Sequence, residues 1–164
     1  MKKKMTTVEF NGTKEQEAAL KQVIAEYRDT KGSMMPILQK AQEIYGYLPI
    51  EVQKIIADKT GVSLEEIYGI ASFYAQFKLN PDGEVAIAVC LGTACYVKGS
   101  GDILDEICNE LGMSSGETSS DGKFSIEATR CIGACGLAPV LTVNGEVYGR
   151  LTKADVPGIL AKYR

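Results

Sequence analysis

The hydrophobic pattern of the chain changes type near residue 80, and this change constrains the fold more than any other feature. Before it, apolar residues recur with the period of amphipathic helices; after it, short apolar runs alternate with helical segments. The turn-forming residues Asn80-Pro81-Asp82-Gly83 mark the change. The sequence therefore predicts an α/β protein, α+β overall, with one module in residues 1–80 and a second in residues 81–164.

The first module is predicted to be a bundle of four helices. The fourth helix has the strongest start signal, because Ser63 and Glu66 have the spacing of a capping box. Glycine ends the second helix at Gly46, where a left-handed cap is typical. The predicted helix starts are Thr13, Ser33, Ile50 and Ser63. We expect this helical module to serve as a docking unit.

The second module has the element order β-α-β-β-β-α. Asn144-Gly145 lies between two short apolar runs and predicts a hairpin with a type I′ turn. Thr152 and Asp155 predict the start of a closing helix. The predicted strands are 85–89, 124–128, 140–143 and 146–148, with a helix at 102–111. This order is that of a thioredoxin-like core, although a shared order alone fixes no function.

Composition excludes several classes of function. The 164 residues contain no histidine, which excludes Ser-His-Asp triads, His-ligated zinc and Rieske centres. A net charge of −3 provides no basic field for nucleic acid. No apolar run is long enough to insert into a membrane. The basic residues 1–5 precede a polar segment rather than the apolar region of a secretory signal.

Four of the five cysteines follow the first two predicted strands. Cys90 and Cys95 form C-x4-C after the first strand, and Cys131 and Cys135 form C-x3-C after the second. A right-handed βαβ crossover makes these strands parallel, so both loops leave at the same edge of the sheet. We therefore expect the four thiols to converge. An odd number of cysteines also favours a reducing, cytoplasmic compartment.

Spacing alone leaves the occupant of such a site open. Soft thiolates select iron–sulphur, zinc or copper(I), and two pairs on two loops suit a [2Fe-2S] cluster with one pair per iron. A zinc-stabilised interaction module and a thiol–disulfide oxidoreductase are the alternatives, although the chain lacks C-x-x-C. Cys108 lies on the apolar face of a helix and is predicted to be a core residue. A cis peptide bond is predicted at Ala138-Pro139.

Five motifs resemble the thioredoxin-like [2Fe-2S] subunit family of NADH:quinone oxidoreductase (the E-type subunit) and of NAD(P)-linked iron-only hydrogenase (the gamma-type or C-type subunit). The family also occurs in formate dehydrogenases. The resemblance covers most of the chain. The motifs are MPILQKAQ at 35–42, GYLP at 46–49, YGIASFY at 68–74, CLGTAC at 90–95 and CIGACGLAP at 131–139.

The resemblance implies one [2Fe-2S] cluster on Cys90, Cys95, Cys131 and Cys135, and assigns no role to Cys108. It implies an electron-transfer subunit beside a larger iron–sulphur subunit that binds FMN and NAD(P)H, with further hydrogenase or dehydrogenase subunits. The segment 90–101 favours a soluble iron-only hydrogenase, electron-bifurcating types included, over respiratory NADH:quinone oxidoreductase or formate dehydrogenase. No catalytic residue and no substrate or NAD site is expected on this chain, since it lacks a nucleotide-binding motif.

Overall fold

The computed structural model of the protein describes residues 8–164. The basic start of the chain therefore lies outside the described residues. The chain divides between Pro81 and Asp82 into two compact units. Among residues 8–164, none of the helices has both the length and the hydropathy of a membrane span.

The first unit contains four α-helices within residues 8–81. They are α1 (Lys14–Tyr27), α2 (Met34–Tyr45), α3 (Ile50–Thr60) and α4 (Leu64–Phe73). Their apolar faces enclose one core, whose fully buried side chains include Leu20, Ile37, Leu38, Leu48, Ile56, Ile67 and Phe77. Gly46 ends α2 in the left-handed conformation at φ 82°, as its position predicts.

The helix caps differ in part from the prediction. Ser63 accepts a hydrogen bond from the Glu66 N–H, but no reciprocal bond from the Glu66 side chain completes the predicted capping box. Ser33 directly precedes α2, as predicted, but it has helical backbone angles and its side chain makes no capping hydrogen bond. The complete capping box of this unit joins Thr13 and Gln16. Glutamine serves as well as glutamate in this motif.

The second unit is a four-stranded sheet with helices, and its class is the predicted α/β. In chain order the elements are β1 (Val85–Cys90), α5 (Thr93–Val97), α6 (Ser100–Leu111), β2 (Phe124–Thr129), β3 (Val140–Val143), β4 (Glu146–Gly149) and α7 (Val156–Ala161). The strands lie in the order β2-β1-β3-β4. β1 and β2 are parallel, as the βαβ connection predicts, while β3 is antiparallel to both of its neighbours.

Two turns of this unit confirm local predictions. Asn144 and Gly145 both have positive φ, at 50° and 85°, which is the signature of a type I′ turn. Thr152 and Asp155 form the predicted capping box, but the first turn after it is a 3-10 helix that leads into α7. The Ala138-Pro139 peptide bond is cis, as predicted.

Helix α5 was not predicted from the sequence. Its five residues include Cys95, which is buried, and Tyr96 and Val97, which are exposed. Such a segment is too short to show a helical period. It lies in the first cysteine loop, between β1 and α6.

Candidate metal centre

The sheet brings the two cysteine loops to one edge. In the parallel pair of β1 and β2, Cys90 at the end of β1 lies opposite Thr129 at the end of β2. The Leu91 N–H extends this pairing with a hydrogen bond of 2.9 Å to the Thr129 carbonyl oxygen. The loops that carry the remaining cysteines therefore begin side by side.

The loops touch at Gly92. A β-carbon on this residue would lie 2.9 Å from Cys131 Cβ, 3.1 Å from Cys131 Cα and 3.4 Å from Cys90 Sγ. This close approach joins the two cysteine pairs, which are about forty residues apart in the chain, into one group.

One pair of thiols has a spacing that suits a shared metal ion. The Sγ atoms of Cys131 and Cys135 are 3.6 Å apart. Two sulphur ligands bound to one tetrahedral ion at ~2.3 Å lie about 3.8 Å from each other. The observed distance is close to this value, so the pair fits one iron of a binuclear cluster. Within residues 8–164, no three His, Cys, Asp or Glu side chains are arranged to hold a metal ion.

The other pair lies deeper. Cys90 and Cys95 are each 2% exposed and belong to a small apolar cluster with Ala138 and Val140, whereas Cys131 and Cys135 are exposed. The four thiols therefore extend from the interior to the surface of the protein.

Hydrogen bonds lower the pKa of the Cys90 thiol. Burial raises the pKa of this thiol, but hydrogen bonds from the Gly92 and Ile132 backbone N–H groups, helped by the Cys95 and Cys131 thiols, outweigh that effect. The net result is that the pKa of Cys90 lies below its usual range. Its sulphur thus accepts a backbone hydrogen bond from each of the two loops.

The pKa values of two neighbouring thiols, Cys95 and Cys135, are raised instead. Burial, followed by the hydrogen bond with Cys90, raises the pKa of Cys95. The hydrogen bond with Cys131 raises the pKa of Cys135. Thiolates at Cys95 and Cys135 are therefore disfavoured unless a cation stabilises them.

Cys108 lies apart from this group. It is half-buried on α6 and packs against the core between that helix and the sheet. Burial raises the pKa of its thiol, with a smaller contribution from Asp105. This placement agrees with the predicted packing role.

One residue of the site was not predicted. Besides the contact of Gly92 with Cys131, Gly149 on β4 makes a second close approach. A β-carbon at Gly149 would lie 2.7 Å from Leu137 Cβ, in the turn after Cys135. Gly149 does not have a positive φ, so no turn signal in the sequence could have marked it.

Residues 20–164 match the thioredoxin-like [2Fe-2S] ferredoxin family. The chain belongs to this family. The predicted resemblance is thereby confirmed, as is the predicted cofactor of one [2Fe-2S] cluster. The sulphur-only donor set fits that cofactor.

Relatives of this thioredoxin-like ferredoxin are subunits of oxidoreductases. It is 43% identical over 142 residues to the NADP-reducing hydrogenase subunit HndA of Solidesulfovibrio fructosivorans, covering 87% of this chain and 83% of the relative. It is 32% identical over 148 residues to NADH-quinone oxidoreductase subunit 2 of Thermus thermophilus, covering 88% and 82%. The predicted role, an iron–sulphur electron-transfer subunit of an oxidoreductase complex, is confirmed at this level.

The fold also recurs in a solved structure. The crystal structure of an NAD+-reducing [NiFe]-hydrogenase in the H2-reduced state matches with a TM-score of 0.56 and 21% identity. The match covers 77% of this chain and 22% of that chain. At this identity the likeness concerns the fold.

Proposed function

We propose that Cys90, Cys95, Cys131 and Cys135 ligate the [2Fe-2S] cluster of this ferredoxin. The observation that carries the proposal is the convergence of two loops, with Cys131 and Cys135 at the spacing of ligands to one metal ion. We assign the buried pair, Cys90 and Cys95, to the other iron.

The bound cluster supplies one-electron transfer. The chain's own residues determine how that chemistry is used. Cys90 and Cys95 hold one side of the site in an apolar cluster, and the exposed loop at Cys131 and Cys135 opens the other side to a partner. The backbone N–H groups of Gly92 and Ile132 direct hydrogen bonds to Cys90 sulphur.

We further propose that the partner is the subunit that binds flavin and NAD(P)H, and that it docks over the exposed end of the cysteine loops. Tyr96 and Val97 are 64% and 80% exposed beside Cys95. Ile132 and Leu137, each within two residues of a cysteine, are exposed as well. Exposed apolar side chains grouped at one site are typical of protein interfaces.

Charge around this surface supports a partner with carboxylates. The loops 91–101 and 129–139 contain Lys98 and Arg130 and no acidic residue, whereas the whole chain carries a net charge of −3. Both cationic side chains belong to exposed residues. A complementary surface would be apolar at its centre and acidic at its rim.

The helical unit is proposed to dock a further subunit of the same complex. Phe73 is exposed at the end of α4, and its ring lies edge to face with that of Tyr74 at 5.1 Å. The chain is more similar in sequence to the hydrogenase relative than to the NADH-quinone oxidoreductase relative, which favours a hydrogenase as the parent complex. We place the complex in the cytoplasm, where thiolate ligands are kept reduced.

Ligand variants test the site. Cys90→Ser, Cys95→Ser, Cys131→Ser and Cys135→Ser are each expected to lower iron content and change the visible spectrum. Cys108→Ala is the matched control and should leave both unchanged. Intact iron content in the four serine variants, together with its loss in Cys108→Ala, would refute the ligand assignment. One zinc per chain without acid-labile sulphide would instead favour a zinc-stabilised module.

A pair of valine variants tests the docking surface. Val97→Ser removes an exposed apolar side chain next to the cysteine loops, while Val147→Ser removes one on β4. The tagged chain is purified from its native host, and the flavin that copurifies with it is measured. Less flavin should copurify with Val97→Ser than with the wild type, and the wild-type amount should copurify with Val147→Ser. Equal flavin recovery in all three would contradict docking at this surface.

A further inference from the structure

We propose that Gly92 is a positioning residue that adjusts the cluster's reduction potential, because its missing side chain lets both cysteine loops donate a hydrogen bond to the same sulphur. The inference rests on the proposed function, since it takes Cys90 and Cys131 as ligands. Gly92 itself contacts the ligands and provides no ligand atom.

The backbone conformation of Gly92 does not require glycine. Its φ of −58° and ψ of 154° are accessible to any residue. Glycine is therefore needed here for space alone, in contrast to the turn glycines of this chain that have positive φ.

The space is filled by the opposite loop. The added β-carbon would lie 2.9 Å from Cys131 Cβ and 3.1 Å from Cys131 Cα. One of these atoms is backbone and the other is attached directly to it, so no flexible side-chain end can move aside. A methyl group at residue 92 must therefore push the two cysteine loops apart.

The displaced loop carries the second hydrogen-bond donor. Cys90 sulphur accepts backbone N–H groups from Gly92 in its own loop and from Ile132 in the opposite loop. Ile132 directly follows Cys131, the residue that the methyl group would push. Moving this segment lengthens the bond from Ile132 and leaves the bond from Gly92 within its own loop.

The expected consequence concerns the reduced state. Reduction adds one negative charge to the cluster and its thiolates, and hydrogen bonds to sulphur stabilise that charge. Weakening the Ile132 hydrogen bond should therefore destabilise the reduced state more than the oxidised state. The reduction potential should become more negative.

Gly92→Ala tests this inference, with Gly136→Ala as the matched control. Gly136 also lies in a cysteine loop, adjacent to Cys135, but a β-carbon there meets nothing within 4 Å, and its φ is not positive. The measurements on the full chain are iron content, the potential from a dithionite titration followed by paramagnetic resonance, and the unfolding midpoint of the iron-free protein.

We expect Gly92→Ala to bind iron with a more negative potential, and its iron-free form to remain folded with an unfolding midpoint lowered by overpacking. Gly136→Ala should match the wild type in all three measurements. A wild-type potential in Gly92→Ala would overturn the inference, and so would loss of bound iron or global unfolding of the iron-free chain, because the residue would then serve cluster assembly or folding. A wild-type chain without any iron would instead refute the proposed function.

Discussion

Cys131 Sγ lies 3.6 Å from Cys135 Sγ on the exposed side of the candidate centre. The second pair, Cys90 and Cys95, is buried behind it. The four proposed ligands thus differ in their access to solvent although they belong to one site.

This difference predicts how the protein reacts after its cluster is removed with a chelator. Cys131 and Cys135 should be alkylated by iodoacetamide before Cys90 and Cys95, because alkylation requires access as well as thiolate character. Peptide mass spectrometry at increasing reaction times measures the order. The cluster-loaded protein, in which all four should be protected, is the control. Equal rates at the four residues in the iron-free protein would contradict the burial described here.

A side chain at Gly149 is expected to disturb the packing against the second cysteine loop and to destabilise the protein. A β-carbon there would lie 2.7 Å from Leu137 Cβ and 3.0 Å from the Leu137 carbonyl oxygen. Gly149→Ala should therefore lower the free energy of unfolding by about 1–3 kcal/mol, the usual cost of overpacking. Urea unfolding measures the change.

Gly158, in contrast, is expected to tolerate a side chain. It lies in α7, and an added β-carbon would meet nothing within 4 Å. Gly158→Ala should raise the free energy of unfolding by roughly 0.5–1 kcal/mol, because alanine favours the helix and restricts the unfolded chain. Destabilisation by both alanine variants would show that steric contact is not what distinguishes the two glycines.

Gln42 connects α2 to the segment after α4. Its Oε1 accepts the Lys78 N–H at 2.7 Å, and its Nε2 donates to the Gln76 carbonyl oxygen at 2.9 Å. Gln42→Ala should lower the free energy of unfolding of the helical unit by about 1–3 kcal/mol, since it removes partners of backbone groups. Gln39→Ala, which removes an exposed side-chain bond to Gln76, should change it by no more than about 0.5 kcal/mol. Equal effects in urea unfolding would contradict this distinction.

Because of Asp155, the stability of the folded protein is expected to fall in the acidic pH range. Hydrogen bonds from the Thr152 backbone N–H and hydroxyl hold the pKa of Asp155 below its usual value of about 3.9. A lowered carboxyl pKa means that the stabilisation is present above the unfolded-state pKa and is lost as pH falls through the folded-state pKa. Asp155→Ala should therefore be less stable than the wild type at pH 7 and approach it below about pH 4. A constant difference in unfolding midpoint across this range would contradict the assignment.

Most of the fold could be predicted because the turn and cap motifs indicate the same helices and strands as the spacing of the apolar residues. The turn at Asn144 and Gly145 and the parallel pairing of β1 and β2 follow from short motifs and from a general rule on crossovers. The start of α2 at Ser33 was predicted, but the lack of a side-chain capping bond was not, because serine permits capping while the backbone there is already helical.

The approach of the two cysteine loops was predictable from the sequence, and the detailed contacts between the loops were not. Cysteine positions at the ends of two strands indicated that Cys90 and Cys131 would approach each other. The asymmetry in burial, the role of Gly92 and the exposure of Val97 depend on how the two loops pass one another at the sheet edge. Such tertiary contacts leave no periodic or turn signal in the sequence.

Four cysteine sulphurs of this chain are proposed to hold a binuclear iron–sulphur cluster, and everything else described for the site depends on that ligation. The most direct test is iron and acid-labile sulphide analysis of protein purified without oxygen, combined with paramagnetic resonance after dithionite reduction. We expect about two iron and two sulphide per chain and a reduced-state signal, with lower iron and sulphide content and an altered signal in Cys131→Ser. A colourless chain without sulphide and without a signal would contradict the proposed ligation.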